Sequence, residues 1–145
     1  MVAVSIGGVC LRNYLLDRRP IAWHVFSHSV LNEHLQQGNP VLVFYSAPWS
    51  IESESIEQRV FETPDVRRAI RTNGVVPLRL AAPFNDFHST ADRAAVESLS
   101  SWRNPPPGTF VICRSEQPDD CIPFFVDATQ EKVVAELNHA GRHMR

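Results

Sequence analysis

This sequence has no apolar run of the roughly 18–20 residues that a bilayer-spanning helix needs. It has no surplus of positive charge: 14 Lys and Arg against 16 Asp and Glu leave a net −2, so nothing in its electrostatics points to nucleic acid as a partner. Its three cysteines show no zinc spacing, and no other pattern implies a resident metal or cofactor. Repeats and low-complexity stretches are absent. Residues 2–16 are mildly apolar but interrupted by Arg12 and Asn13 and preceded by no basic region, which makes a poor signal peptide. What remains is 145 residues with 43% hydrophobic and 21% charged content, the composition of one globular domain with a sizeable core.

The chain is organised around residues 40–57. Val41-Leu42-Val43-Phe44-Tyr45 is an unbroken apolar run rich in β-branched and aromatic residues, and it stops at Ser46-Ala47-Pro48. That reads as a strand buried on both faces. Ser50 is placed to cap a helix, with Glu52 and Glu54 near the positive end of its dipole. Strand, tight turn and helix therefore meet at Trp49-Ser50-Ile51-Glu52-Ser53.

Ala47-Pro48-Trp49-Ser50-Ile51-Glu52-Ser53 behind a buried strand resembles the active-site segment of the thioredoxin-like superfamily, which carries Ala-x-Trp-Cys-x-x-Cys. The flanks Gly38-Asn39-Pro40-Val41 before it, and Glu57, Val60-Phe61 and Pro64-Asp65-Val66 after it, extend the likeness. The similarity is greatest to the C-terminal thioredoxin domain of membrane thiol–disulfide interchange proteins and covers residues 23–137. It implies a three-layer α/β fold, a central mixed sheet flanked by helices, with a segment 1–20, the domain 21–141 and a tail 142–145. The segment 1–20 reads as a terminal strand or helix, the alternative being the end of a membrane helix. The resemblance also favours a periplasmic or membrane-associated location.

The departures carry the functional reading. Ser50 and Ser53 stand where the family has its two cysteines, and disulfide exchange needs a thiolate and a resolving sulfur. Phe44 stands where many relatives bury a carboxylate for proton transfer. The strand at residues 75–80 runs into Ala81-Ala82-Pro83 instead of ending on an acid. The family's cis proline before the next strand falls on Pro107, with Pro106 the lesser candidate; Gly108 behind it departs from the pattern and leaves the register open by one, and a plain Pro-rich loop is the alternative.

Elsewhere, residues 23–38 read as a first helix capped by Ser27, with Val30, Leu31 and Leu35 inward and Gly38 as its stop. His24, His28 and His34 lie in it as surface histidines rather than metal ligands. Thr63 caps a second helix with Pro64 at its first position and Val66 and Ile70 inward; Arg67, Arg68 and Arg71 form its solvated face. Asp86 and His88 belong to a polar loop, followed by a helix from Ser89 or Thr90 to Trp102. Residues 108–113 and 121–126 form a hairpin whose tip, with Glu116, Asp119 and Asp120, reads as a solvated turn. Cys113 and Cys121 flank it; free thiols are the expectation and a cross-strand disulfide the alternative. Asp127 or Thr129 caps a final helix, with Val133, Val134, Leu137 and Ala140 inward and Gly141 as its end.

The expected function is a redox-inactive thioredoxin-fold module that binds a protein or peptide, or serves structurally. Its surface is Trp49, Ser50, Ile51 and Pro107. An association with a membrane redox protein fits the same resemblance. The alternative is a disulfide-interchange protein of cell redox homeostasis, with an altered site or with serines engineered in place of cysteines; Phe44 and the retained Cys10, Cys113 and Cys121 speak against engineering. As an enzyme it would rely on Cys113 or Cys121, or on Ser50 with His88 as base, and no assignable nucleophile–base pair favours this.

Overall fold

The computed structural model describes residues 4–81, 94, 97–99 and 105–142. The expected loop with Asp86 and His88, and most of the helix that follows, lie outside them. The elements in order are helix α1 (Val4–Asp17), strand β1 (His24–Val25), helix α2 (His28–Gln36), β2 (Val41–Ser46), α3 (Ile51–Ile56), α4 (Pro64–Thr72), β3 (Val76–Ala81), β4 (Phe110–Cys113), β5 (Cys121–Phe124) and α5 (Gln130–Arg142). The sheet order is β1-β3-β2-β4-β5. β1, β3 and β2 run parallel, while β4 and β5 close the sheet antiparallel.

β2 is buried at every position, as its apolar run dictates. Alternation of side chains divides it between two cores. Val41, Val43 and Tyr45 join Phe26, Leu31, Leu35, Leu78, Leu80 and Val111 on the α2 face. Leu42 and Phe44 join Ile56, Val60, Phe61, Val66, Ile70, Phe110, Val133 and Leu137 on the face covered by α3, α4 and α5. Leu99 packs against the α2-side core. Phe44 and Phe61 are each worth about 1.5–3 kcal/mol of burial. Their rings, 4.8 Å apart, continue a chain of aromatics from Trp23 to Phe110 and Phe124. α3 widens into a π-helical turn over Glu57–Phe61, which lets the adjacent Val60 and Phe61 both enter the core.

Several expectations need correction. Residues 23–26 are not helical: His24 and Val25 pair with Leu78 and Arg79 as an edge strand, and the helix starts at His28. Ser27 is its cap, accepting from the Val30 amide at 3.2 Å. The exposed two-residue strand has too few positions to show a period of two. It also separates His24 from the helix that carries His28 and His34. Thr63 precedes α4 without capping it; its hydroxyl donates back to the Val60 carbonyl at 2.6 Å. Thr129 leads α5, accepting from the Lys132 amide at 3.4 Å.

Gly141 does not end α5, which continues to Arg142. A Cβ there would lie 2.1 Å from Asn73 Oδ1. Asn73 holds that position by donating from Nδ2 to the Ala69 carbonyl at 2.8 Å and to Asn138 Oδ1 at 2.9 Å. The glycine is there for the close approach of α5 to the end of α4.

The arginines of α4 are not simply a solvated face. Arg68 and Arg71 both pair with the buried carboxylate of Asp17, at 2.6 and 2.7 Å. Arg67 donates to the Phe61, Asp17 and Arg18 carbonyls at 3.2, 3.4 and 3.3 Å. Together they fasten the end of α1 to α4. Burial opposes ionisation of Asp17, but the hydrogen bonds and charges of the two arginines outweigh it and hold its carboxyl below the usual range. No helix among the described residues is long and apolar enough to cross a membrane.

Cys113 and Cys121 are not free thiols. They sit opposite each other in the β4–β5 ladder and form a disulfide. Since Val41 pairs with Cys113, this bridge lies at the start of β2, at the other end of the sheet from Trp49.

Candidate functional site

The turn at the end of β2 is built on its two serines. Ser50 caps α3: its Oγ accepts from the Ser53 amide at 3.2 Å and donates to Glu52 Oε2 at 3.1 Å. Its own amide donates to the Ala47 carbonyl at 3.1 Å. Ser53 Oγ accepts from the Ala47 amide at 3.0 Å, tying α3 back to the strand. Both serines are buried, at 6% and 2% exposure, whereas Trp49 at 49% and Ile51 at 79% face outward. The serine hydroxyls are thus taken up by bonds within the turn and back to the strand, while its apolar side chains are presented.

Opposite the turn, the loop before β4 is stitched to β2. Gly108 donates to the Tyr45 carbonyl at 2.8 Å, and Tyr45 donates to the Thr109 carbonyl at 3.0 Å. Thr109 closes the loop, donating from its amide and its hydroxyl to the Pro106 carbonyl at 3.2 and 2.8 Å. Gly108 has φ +97°, and a Cβ on it would stand 3.1 Å from the Glu52 carbonyl carbon and the Ser53 nitrogen. The residue that abuts the turn is therefore Gly108. Pro107 is half-buried one position earlier. The expected cis peptide at Pro107 is not found: no peptide bond among the described residues is cis. The amide that bonds Tyr45 belongs to Gly108, and a proline in its place would have no hydrogen to donate.

Beneath the turn, Phe44 is fully buried where the resemblance leads one to look for a carboxylate. A charged pair lies beside it: Arg79, across the sheet from Phe44, binds Glu57 of the π-helical turn. The Arg79 guanidinium stands 4.9 Å from the Trp23 ring centre and 5.5 Å from that of Phe44. Sequence reasoning missed this pair, although an arginine in an otherwise apolar strand is its visible trace. Among the described residues no histidine bonds either serine hydroxyl, and no group of three or more His, Cys, Asp or Glu is placed to hold a metal.

The comparisons fit this geometry. A family model described as thioredoxin-like matches residues 22–113, more than half of the chain. The chain belongs to the thioredoxin-like family. No curated protein sequence matches it significantly. Among solved structures, this thioredoxin-like chain is similar to the DsbH oxidoreductase at 10% identity and TM-score 0.57, covering 85% of this chain and 87% of that one. It is similar to a thioredoxin from Thermus thermophilus at 15% identity and TM-score 0.56, covering 82% and 87%. The C-terminal domain of DsbD from Neisseria meningitidis, in its oxidised form, aligns at 14% identity and TM-score 0.51, covering 91% and 95%. At these identities the likeness establishes the fold.

Proposed function

We propose that this thioredoxin-like domain is a binding module whose Trp49–Ser53 turn docks an extended polypeptide segment and exchanges no disulfides. The observation that carries the reading is that both buried serine hydroxyls are engaged by the turn's own amides beneath an exposed Trp49 and Ile51. An oxygen at these positions caps a helix as well as a sulfur would, but it forms no disulfide. Trp49 is the anchor, Ile51 extends the apolar contact, and the Pro107–Gly108 loop forms the facing wall.

A second reading rests on the Cys113–Cys121 disulfide, the one sulfur pair bonded among the described residues. Disulfide interchange through it would need a partner's thiolate to reach one of its sulfurs, and Cys113 and Cys121 are 0% and 7% exposed. Burial therefore favours the binding module.

Two measurements test the proposal. Insulin reduction by dithiothreitol should run at background rate with the wild type and above it with the Ser50→Cys/Ser53→Cys variant. Wild-type acceleration that disappears in Cys113→Ser/Cys121→Ser would replace the first reading with the second. Titration with reduced, alkylated insulin B chain should change the tryptophan fluorescence of the wild type and not that of Trp49→Ala. An equal response in both would remove Trp49 from the site.

A further inference from the structure

We propose that α1 lays its Leu11–Tyr14–Leu15 face on an anionic lipid surface. These residues stand at i, i+3 and i+4 on one side of the helix, and they are 60%, 53% and 55% exposed. All five residues from Leu11 to Leu15 are exposed, so the middle of α1 is not part of the domain core. Its C-terminal end is docked, where Asp17 meets Arg68 and Arg71. That latch holds the helix against α4 while leaving the apolar face outward.

Charge selects the occupant. Residues 1–20 carry three arginines and one aspartate, a net +2 in a chain of net −2. The aspartate is Asp17, already neutralised by α4, so Arg12, Arg18 and Arg19 are left exposed beside the apolar face. Arg18 lies over the Tyr14 ring at 4.7 Å, an amphipathic pair of the kind that sits at headgroup level. The sequence from residue 2 to 11 holds no charge at all. An apolar helical face bordered by arginines matches a bilayer interface bearing anionic headgroups. A second copy of the chain fits less well, since a stable dimer takes about 20–30 residues a side.

Vesicle co-sedimentation of the full chain tests this. Binding should be clear with phosphatidylcholine vesicles containing about one third phosphatidylglycerol and at least about tenfold weaker with phosphatidylcholine alone. Leu11→Glu/Leu15→Glu, at exposed positions, should keep the wild-type circular dichroism spectrum and lose binding by about tenfold or more. Arg12→Glu/Arg18→Glu should lose it too, as should added salt. The proposal is overturned by absence of binding to the anionic vesicles, by equal binding of the leucine variant, or by equal binding to both lipid compositions. It is also overturned if sedimentation velocity finds a wild-type dimer that the leucine variant lacks. None of these outcomes depends on Trp49.

Discussion

At one end of β2 two serines lie buried in a turn, while at the other end two cysteines lie buried in a hairpin. The serines are held by hydrogen bonds that any small acceptor would satisfy: a helix cap at Ser50 and a strand tie at Ser53. The cysteines are joined covalently across β4 and β5, and β5 is an edge strand of only four residues. The contrast separates two ways of fixing a turn. At the Trp49 end hydrogen bonds hold its shape, because capping asks only for an acceptor. At the hairpin end a hydroxyl would not replace the bond, because it forms no cross-link.

The comparison breaks most readily at Gly108. Gly108→Val places a side chain against the backbone of Glu52 and Ser53 and forces a β-branched residue to φ +97°, so it should destabilise the domain by about 3 kcal/mol in urea denaturation. A loss under about 1 kcal/mol would mean that the loop and the turn move apart freely. Next comes the far end: Cys113→Ser/Cys121→Ser opens a loop of sequence separation 8 and should cost about 2–3 kcal/mol by the same measurement. If it costs nothing, the two ends do not differ as described.

The Asp17 latch belongs to neither end and calibrates both. Asp17→Asn should cost about 1–2 kcal/mol near neutral pH, discounted because both arginines are partly exposed. The Asp17 carboxyl titrates lower when folded than the roughly 3.9 of an unfolded aspartate. Its stabilisation is therefore complete above about pH 5 and is lost as the pH falls through the folded value. Wild type and variant should converge in stability once the pH has fallen below that folded value. The smallest effect is expected at Ser50→Ala, about 1 kcal/mol for the lost cap, with Ser50→Cys milder because sulfur still accepts weakly.

Much of this was legible in the sequence where one residue pattern settles one local structure. The apolar run of β2, the caps at Ser50 and Ser27, the proline opening α4 and the hairpin strands all belong to that class. What escaped depends on pairs far apart in the chain. Arg68 and Arg71 look solvated until Asp17, more than fifty residues away, is folded against them. Gly141 looks like a helix stop until Asn73 fills the space beside it. The cysteine pairing requires the β4–β5 register, and the choice of Gly108 over Pro107 requires knowing which amide bonds Tyr45. At the site, the two serines of the turn were plain, but the Glu57–Arg79 pair was not, since its partners sit on different elements.

The widened turn at Glu57–Phe61 has a consequence for the length of this segment. With one additional residue per turn it works as a phase adjuster between the Trp49 tip and Pro64, rotating the helix by about one residue's angle so that Phe61 follows Val60 inward. Sequence drift between residues 57 and 61 is thus constrained in number as well as in kind. Substitutions that keep the count leave the frame intact, whereas shortening by one would swing Phe61 toward water and take the centre out of the aromatic chain.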